Sequence, residues 1–192
     1  MGLEQRLAGD RARLNLAWFD NRYSNIISTT VTSFTPFTSQ YFNLGLTEAR
    51  GLELSGDVAL VSGFRARAGY TFTDSEILES ASDSEVFQAG NSAFRRPRHS
   101  GFADVAWNGS RVSVNLVGTF VGERVDSDFS ALEPPITVNE GYARWDLRAA
   151  VRLTRLISVT GAIDNLADHD YMEPLGYPAL GLAARGGVRI GF

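Results

Sequence analysis

The sequence predicts an all-β fold, an antiparallel up-and-down transmembrane β-barrel of about nine strands. Three observations predict it. The last stretch, residues 181–192 (GLAARGGVRIGF), sets Leu182, Ala184, Val188, Ile190 and Phe192 on one parity and Arg185 and Arg189 on the other, and it stops on an aromatic residue. Side chains of a strand alternate between two faces, so this strand is apolar on one side and cationic on the other. Similar alternation recurs along the chain, several segments reaching a dozen residues, longer than the usual five or six of a soluble sheet and long enough to cross a bilayer at a tilt. The connections alternate short and long, as in a barrel with short periplasmic turns and long external loops.

Composition narrows the alternatives. The 192 residues carry a net charge of −4, so there is no basic excess to neutralise nucleic-acid phosphates, and no nucleic-acid partner is expected. Cysteine is absent, which excludes disulfides and cysteine-ligated metal. No apolar run approaches the ~18 residues of a membrane helix, an absence that does not bear on strands whose hydropathy averages out. The opening MGLEQRLAGDRAR has no apolar stretch of the kind that forms a secretory signal, so a chain bound for an outer membrane is expected to begin upstream of Met1.

The strands are expected in order. Residues 2–8 form a short first strand, closed by the Gly9-Asp10 turn. The second, residues 11–27, sets Ala12, Leu14, Leu16 and Trp18 against Arg13, Asn15, Ala17 and Phe19. Residues 28–40, rich in Ser and Thr, read as a loop. The third, residues 41–60, sets Leu44, Leu46, Leu52, Leu54 and Val58 against Asn43, Thr47, Glu53, Ser55 and Asp57; Glu48 and Arg50 fall on the leucine parity, so either a bulge shifts the pattern or these residues project above the lipid. The fourth, residues 64–77, opposes Phe64, Ala66, Ala68, Tyr70 and Phe72 to Arg65, Arg67, Gly69, Thr71 and Thr73. A polar stretch, residues 78–98, leads to the fifth, residues 99–107, with Ala103, Val105 and Trp107 against Ser100 and Asp104.

Asn108-Gly109 is the strongest hairpin signal in the chain. The sixth strand, residues 111–126, sets Val112, Val114, Leu116 and Phe120 against Ser113, Asn115, Thr119 and Glu123. A loop over 127–141 contains Pro134-Pro135, where proline harms no ladder. The seventh, residues 142–153, has Ala143, Trp145, Leu147, Ala149, Val151 and Leu153 on one face and Arg144, Asp146, Arg148 and Arg152 on the other. Thr154-Arg155 turns into the eighth, residues 156–165, and a loop over 166–180 delivers the ninth. Trp18, Tyr70, Phe72, Phe120 and Trp145 fall toward the long-loop ends and Phe64, Trp107 and Phe192 toward the short turns, as two aromatic girdles would. A soluble sandwich or lipocalin-like barrel would alternate in the same way with its apolar face turned inward; strand length and loop order favour the membrane barrel.

Three segments together resemble the TonB-dependent outer-membrane receptors: NLGLTEARGLELSG (43–56), FRRPRHSG (94–101) and IDNLADHDYMEPLGYPALGLAARGGVRIGF (163–192). The resemblance covers nearly the whole chain. It implies localisation in a Gram-negative-type outer membrane and a barrel of about 22 strands with a plugged lumen. Residues 1–192 would then be the C-terminal part of that barrel, with the plug, the TonB box and the first barrel half absent. Nine strands is an odd count for a bacterial barrel, so the piece is not expected to close alone, and it leaves two strand edges open. The implied activity is active import of a scarce solute, a ferric siderophore or cobalamin, coupled to the TonB complex through the missing N-terminal part. Implied partners are outer-membrane lipid and lipopolysaccharide, and the barrel assembly machinery, which would read Phe192 of the last strand as an insertion signal. A structural or adhesive barrel without transport is the alternative.

Candidate residues follow. Arg65, Arg67, Arg144, Asp146, Arg148, Arg152, Arg185 and Arg189 are expected to face the lumen, because each charge would cost roughly 2–4 kcal/mol at the lipid midplane; they either form a hydrated, paired wall with acids such as Asp104 and Asp164 or hold a plug or an anionic ligand. Arg95, Arg96 and Arg98 are candidates for ligand carboxylates or lipopolysaccharide phosphates, by the bidentate geometry of guanidinium, with positioning of the strand start as the plainer role. Tyr171, Tyr177 and Phe129 are candidate ligand-gripping aromatics. Asp126, Asp128 and Glu133 either gather a calcium ion or form a solvated acidic loop. No catalytic motif occurs; His99 and His169 are the only histidines, a serine–histidine site built on His99 and Ser100 is unsupported, and no enzyme, cofactor or resident metal is expected.

Overall fold

The computed structural model describes residues 1–82, 85–127 and 136–191. The strands are β1 (Gly2–Leu7), β2 (Ala12–Phe34), β3 (Phe37–Ala59), β4 (Phe64–Glu79), β5 (His99–Asn108), β6 (Val112–Val121), β7 (Arg124–Ser127), β8 (Ile136–Asn139), β9 (Tyr142–Arg152), β10 (Ile157–Asp164) and β11 (Ala183–Ile190). Among the described residues the only helical segment is one 3-10 turn, Glu85–Phe87. Nine strands build one antiparallel sheet in the order β1-β2-β3-β4-β5-β6-β9-β10-β11, and β7 and β8 pair separately.

The register joins the alternating patterns of the separate strands into two continuous faces. Leu3 pairs with Leu16, Leu16 with Leu54, and Leu54 with Tyr70. Farther along, Val105 pairs with Leu116, Leu116 with Leu147, Leu147 with Ile163, and Ile163 with Ala184. On the opposite face Asn115 pairs with Arg148, Arg148 with Ala162, and Ala162 with Arg185. Among the described residues no second layer covers the apolar face: Leu16 and Leu54 are each 43% exposed and Val188 64%. A soluble sandwich would have buried these side chains, so the inward-facing apolar alternative does not hold. Among the described residues the buried apolar cluster is Leu44, Ile77 and Phe87, joined by Ile26, Phe42 and Phe94 where the connection after β4 packs Phe87 and Phe94 against the sheet. Phe87 meets Phe42 and Phe94 edge to face at 5.2 and 5.4 Å.

Two sequence expectations are corrected, and one open alternative is narrowed. Residues 28–40 are not a loop but the outer part of the β2–β3 hairpin, turning at Thr35-Pro36. Their Thr and Val residues favour extended backbone, and polarity on both faces reflects solvent on both sides, which reads as loop when polarity alone is weighed. The sixth strand stops at Val121 rather than running to Asp126; the chain leaves the sheet at Gly122, and residues 124–127 pair with 136–139 inside the expected 127–141 loop. The Glu48 and Arg50 ambiguity resolves against a bulge: β3 keeps one register with β2 from Leu44 to Val58 and with β4 from Thr47 to Ala59. The shift that exists lies between Leu46 and Thr47, beyond both residues. Phe192, Asp128, Phe129, Glu133, Pro134 and Pro135 lie outside the described residues.

Large rings lie over glycines on the neighbouring strand, a cross-strand pairing that lets a ring cover bare backbone. Phe19 covers Gly51, Phe102 covers Gly69 and Trp145 covers Gly118. At Gly51 the fit is tightest, because a Cβ there would stand 1.9 Å from the Phe72 carbonyl oxygen and 2.8 Å from Phe19. Gly51→Ala is therefore expected to force β3 and β4 apart at a cost of about 1–3 kcal/mol. Loss of strand circular dichroism on heating measures it, and an unchanged midpoint would show that the strands are not in this contact.

Candidate functional site

The functional residues gather where the long connections meet, at one end of the sheet. Arg95, Ser127, Asn139 and Leu175, from the three long connections, converge there on the Asp126 carboxylate, which is fully buried. It accepts from Arg95 Nε at 2.9 Å, from the Leu175 N–H at 2.9 Å and from the Ser127 N–H at 2.8 Å, with Asn139 Nδ2 at 3.4 Å. Arg124, also buried, donates to the Met172 carbonyl at 2.7 Å, to that of Glu173, and to that of Glu140 at 3.4 Å. The two-stranded β7–β8 piece exists at this point because its Arg124–Asn139 pair faces the third connection. Tyr171 stacks on Tyr142 with ring centroids 4.0 Å apart and accepts from Arg144 Nη1 at 3.2 Å, tying the third connection to the start of β9.

Burial alone would raise the Asp126 pKa. The Leu175 N–H, the Arg95 guanidinium and the Ser127 N–H outweigh it and hold the carboxyl below its ordinary value. With N–H donors on both oxygens, the Asp126 carboxylate is a structural acceptor and not the exposed acid of a solvated loop. No group of three or more potential metal-ligating residues occurs among the described residues.

The three arginines expected near one another part company. Arg95 turns inward to Asp126, with its backbone in the left-handed region at φ 57°. Arg96 is exposed. Arg98 swings to the apolar face, where it pairs with Asp74 at 3.1 Å and lies 5.7 Å over Phe72. Tyr177 is 72% exposed, unlike the stacked Tyr171. His99 and Ser100 project from opposite faces of β5; the His99 ring sits 2.7 Å from the Tyr70 hydroxyl through Nδ1.

On the charged face most of the arginines have a partner, across strands except for Arg144, whose partner Asp146 lies two residues along the same strand. Arg67 joins Asp104, whose other oxygen accepts from Asn115 at 2.5 Å. Arg65 meets Asp57 at 3.2 Å and Arg144 meets Asp146 at 3.1 Å. Arg148, at 3.8 Å, and Arg185 share Asp164, and Arg152 donates to the Ser110 carbonyl. Arg189 pairs in register with Ser158 at the short-turn end. Sequence reading missed Asn165, which is 1% exposed. Its backbone N–H donates to Asp146 at 3.0 Å, its amide to the His169 carbonyl at 2.9 Å, and its Oδ1 accepts the His169 N–H at 3.0 Å. Asp168 accepts the Leu182 N–H at 2.6 Å and so closes the same connection.

Because the folded Asp126 carboxyl titrates below the unfolded value of about 3.9, it stabilises the junction fully above that pH and progressively less as pH falls through the folded value. Limited proteolysis of the three connections is expected to be slow at pH 5 and to accelerate below about pH 4. Asp126→Ala strands several donors, each at about 1–3 kcal/mol, and is expected to give the fast pattern already at neutral pH; cleavage unchanged by the substitution would show that the junction does not depend on this carboxylate.

Comparison with known proteins agrees with this architecture. Residues 2–166 match the family described as TonB dependent receptor-like, beta-barrel. Among solved structures, the chain is similar to the siderophore receptor PiuA from Acinetobacter baumannii (TM-score 0.75, 18% identity, 98% of this chain and 27% of that one). It is also similar to the ferric-catecholate import receptor Fiu from E. coli K12 (0.74, 19%, 100% and 27%) and to the copper transporter OprC (0.72, 16%, 100% and 30%). The chain thus spans under a third of the length of these relatives. The chain belongs to the TonB-dependent receptor-like β-barrel family, and its nine-stranded sheet is a segment of an outer-membrane barrel wall.

Proposed function

We propose that this chain is a run of consecutive wall strands, with their external loops, from an outer-membrane transporter that imports a ferric siderophore or a comparable scarce solute such as cobalamin. Energy coupling through TonB, the plug and the rest of the barrel belong to segments that precede it. The observation that carries the reading is the pairing of one uncovered apolar face with one ion-paired face across the whole sheet. On β4 the apolar face runs from Phe64 to Phe72, aromatic at both ends. The eight steps from Phe64 to Phe72 cover roughly 27 Å at ~3.4 Å each, and about 21 Å of height at a tilt near 40°, close to the ~25 Å apolar band of such barrels. The apolar face then meets lipid, and Arg65, Arg67, Arg144, Asp146, Arg148, Arg152, Arg185 and Arg189 line a wet interior. The loop junction around Asp126 stands over that interior on the external side.

The fold does not select the solute, because relatives named for siderophore, ferric-catecholate and copper have TM-scores between 0.72 and 0.75. Selection rests on the loops. Arg96 and Tyr177 are exposed there and suit a bulky anionic or aromatic solute. Arg95 and Tyr171 hold the loops that present them. Insertion by the barrel assembly machinery through the last strand completes the proposal.

Two measurements test it. Spin labels on Leu116→Cys and Ser113→Cys in the whole receptor are expected to collide with dissolved oxygen and with a water-soluble nickel chelate, respectively; the reverse pattern would overturn the assignment of faces. Deleting the receptor is expected to abolish energy-dependent uptake of its solute, with rescue by the whole receptor and none by residues 1–192 alone. Undiminished uptake of every iron–siderophore and cobalamin probe in the deletion strain would favour a structural barrel.

A further inference from the structure

The charged face is not balanced along its whole width. Between the short turns and the level of Phe72, β1–β5 carry Arg6, Arg13, Arg65 and Arg67 on it, against Glu4, Glu53, Asp57 and Asp104. Those four cations and four anions cancel. On β9–β11 the same face carries Arg144, Arg148, Arg152, Arg185 and Arg189 against Asp146 and Asp164 alone. The neighbouring β6 has no charged residue. A net positive sector therefore occupies one side of the wall.

Acid partners thin out down β9 toward the short turns. Arg144 lies 3.1 Å from Asp146 and donates to the Tyr171 hydroxyl at 3.2 Å. Four residues on, Arg148 stands 3.8 Å from Asp164, which it shares with Arg185. Four residues beyond that, Arg152 donates only to the Ser110 carbonyl. Arg111, Arg155 and Arg189 have no acid partner among the described residues. Arg111, Arg152 and Arg155 line one concavity of about 500 Å³ at the turn.

The register arranges four of these arginines as the corners of a rectangle. One row is Arg148–Ala162–Arg185, the next on this face is Ala150–Thr160–Gly187, and the next is Arg152–Ser158–Arg189. Its sides are roughly 10 Å across two strands at ~4.8 Å each and roughly 14 Å along four residues at ~3.4 Å each. Every residue enclosed is small, so the floor is sunken between long cationic side chains. A hollow of about 430 Å³ lies there, with Ser113, Ala150, Thr160 and Gly187 as floor and Arg148 and Arg185 at its upper edge. That volume is in the range of small-molecule sites. Arg148 and Arg185 are 55% and 66% exposed, so their remaining N–H donors are open to a solute.

We propose that this rectangle is a binding site for a small polyanion, a solute with two or more carboxylate or phosphate groups, on the interior wall beside the short-turn mouth. Guanidinium forks take such oxygens in pairs. One aspartate, Asp164, faces four arginines, so the frame keeps a net charge of +3 for the solute to meet. Because the acids are lost progressively toward the turns, an anion entering from the loop side is held more strongly the deeper it travels. The hollow faces an interior only if the apolar face meets lipid, so it rests on the transporter reading, which it extends from the loops to the exit side.

The test titrates the whole receptor, purified in detergent at low ionic strength, with tripolyphosphate. Wild type is expected to bind it at least tenfold more tightly than inorganic phosphate, and more weakly as salt is raised. Arg152→Gln with Arg189→Gln removes the two corners that strand no acid. This variant is expected to bind at least tenfold more weakly while keeping its heat-modifiable gel mobility. The control, Arg6→Gln with Arg11→Gln, removes the same charge at the β1–β2 turn and is expected to bind as wild type does. Equal affinity of wild type and the Arg152, Arg189 variant overturns the proposal, as does equal affinity of wild type for tripolyphosphate and phosphate. A lowered thermal midpoint in that variant with unchanged tripolyphosphate affinity also overturns it, and marks an acidic protein segment as the occupant. The Ser113→Cys label separates the two failures. Contact of that label with the nickel chelate alongside equal affinities refutes this hollow alone. A Ser113 label that meets oxygen instead refutes the orientation of the wall, and the hollow with it.

Discussion

A strand that crosses hydrocarbon must commit every backbone N–H and C=O to a neighbouring strand, because nothing else there can bond to them. The rest of this structure depends on that constraint. It demands an unbroken ladder, and an unbroken ladder fixes which side chains share a face. Across nine strands the register never exchanges the two faces between Phe64 and Phe72 or their partners. Irregularity is confined to the outer end, between Leu46 and Thr47 and between Val31 and Ser33, where water can satisfy a displaced group.

This explains how much was legible in the sequence. Within the membrane-height part of each strand one face is forced to be apolar, so period-two alternation carries the answer, and the parities of Leu14, Tyr70, Val105, Leu116, Trp145 and Val188 can be read directly. Above that height the constraint lapses. The Thr-rich segment around Val31 is strand with water on both sides, and no alternation marks it. Arg124 and Asn139 gave no pattern either, since their partners are backbone carbonyls of a segment more than thirty residues away. Asn165 and Asp168 fell inside the segment that carried the family resemblance, and their roles as loop fasteners give that segment a physical meaning.

The charges divide into three populations with different work. On the charged face they pair across strands, as Arg67–Asp104 and Arg148–Asp164–Arg185 do, and keep a polar wall satisfied. At the junction the buried Asp126 and Arg124 bind mainly backbone and so set the path of the chain. On the outer rows Arg22 and Arg50 stand exposed over the sunken Glu48, and Arg50 and Arg98 share the part-exposed Asp74. Arg95 and Arg98 are three residues apart and belong to different populations, which shows why a local arginine cluster in sequence is a poor guide to a shared site.

The long β2–β3 ribbon has one further consequence. Beyond Leu46, β3 has lost its pairing with β4, and β2 and β3 continue as a two-stranded ribbon to Phe34 and Phe37, packed at its base against Phe87 and Phe94. From Ser24 to Phe34 the ribbon extends on the order of 34 Å at ~3.4 Å per residue. It stands beyond the wall pairing as a mast, so its tip is the part of the described chain farthest from the nine-stranded sheet. Residues 31–39 pair only with one another, so substitutions at the tip change that surface while the register of the wall stays as it is.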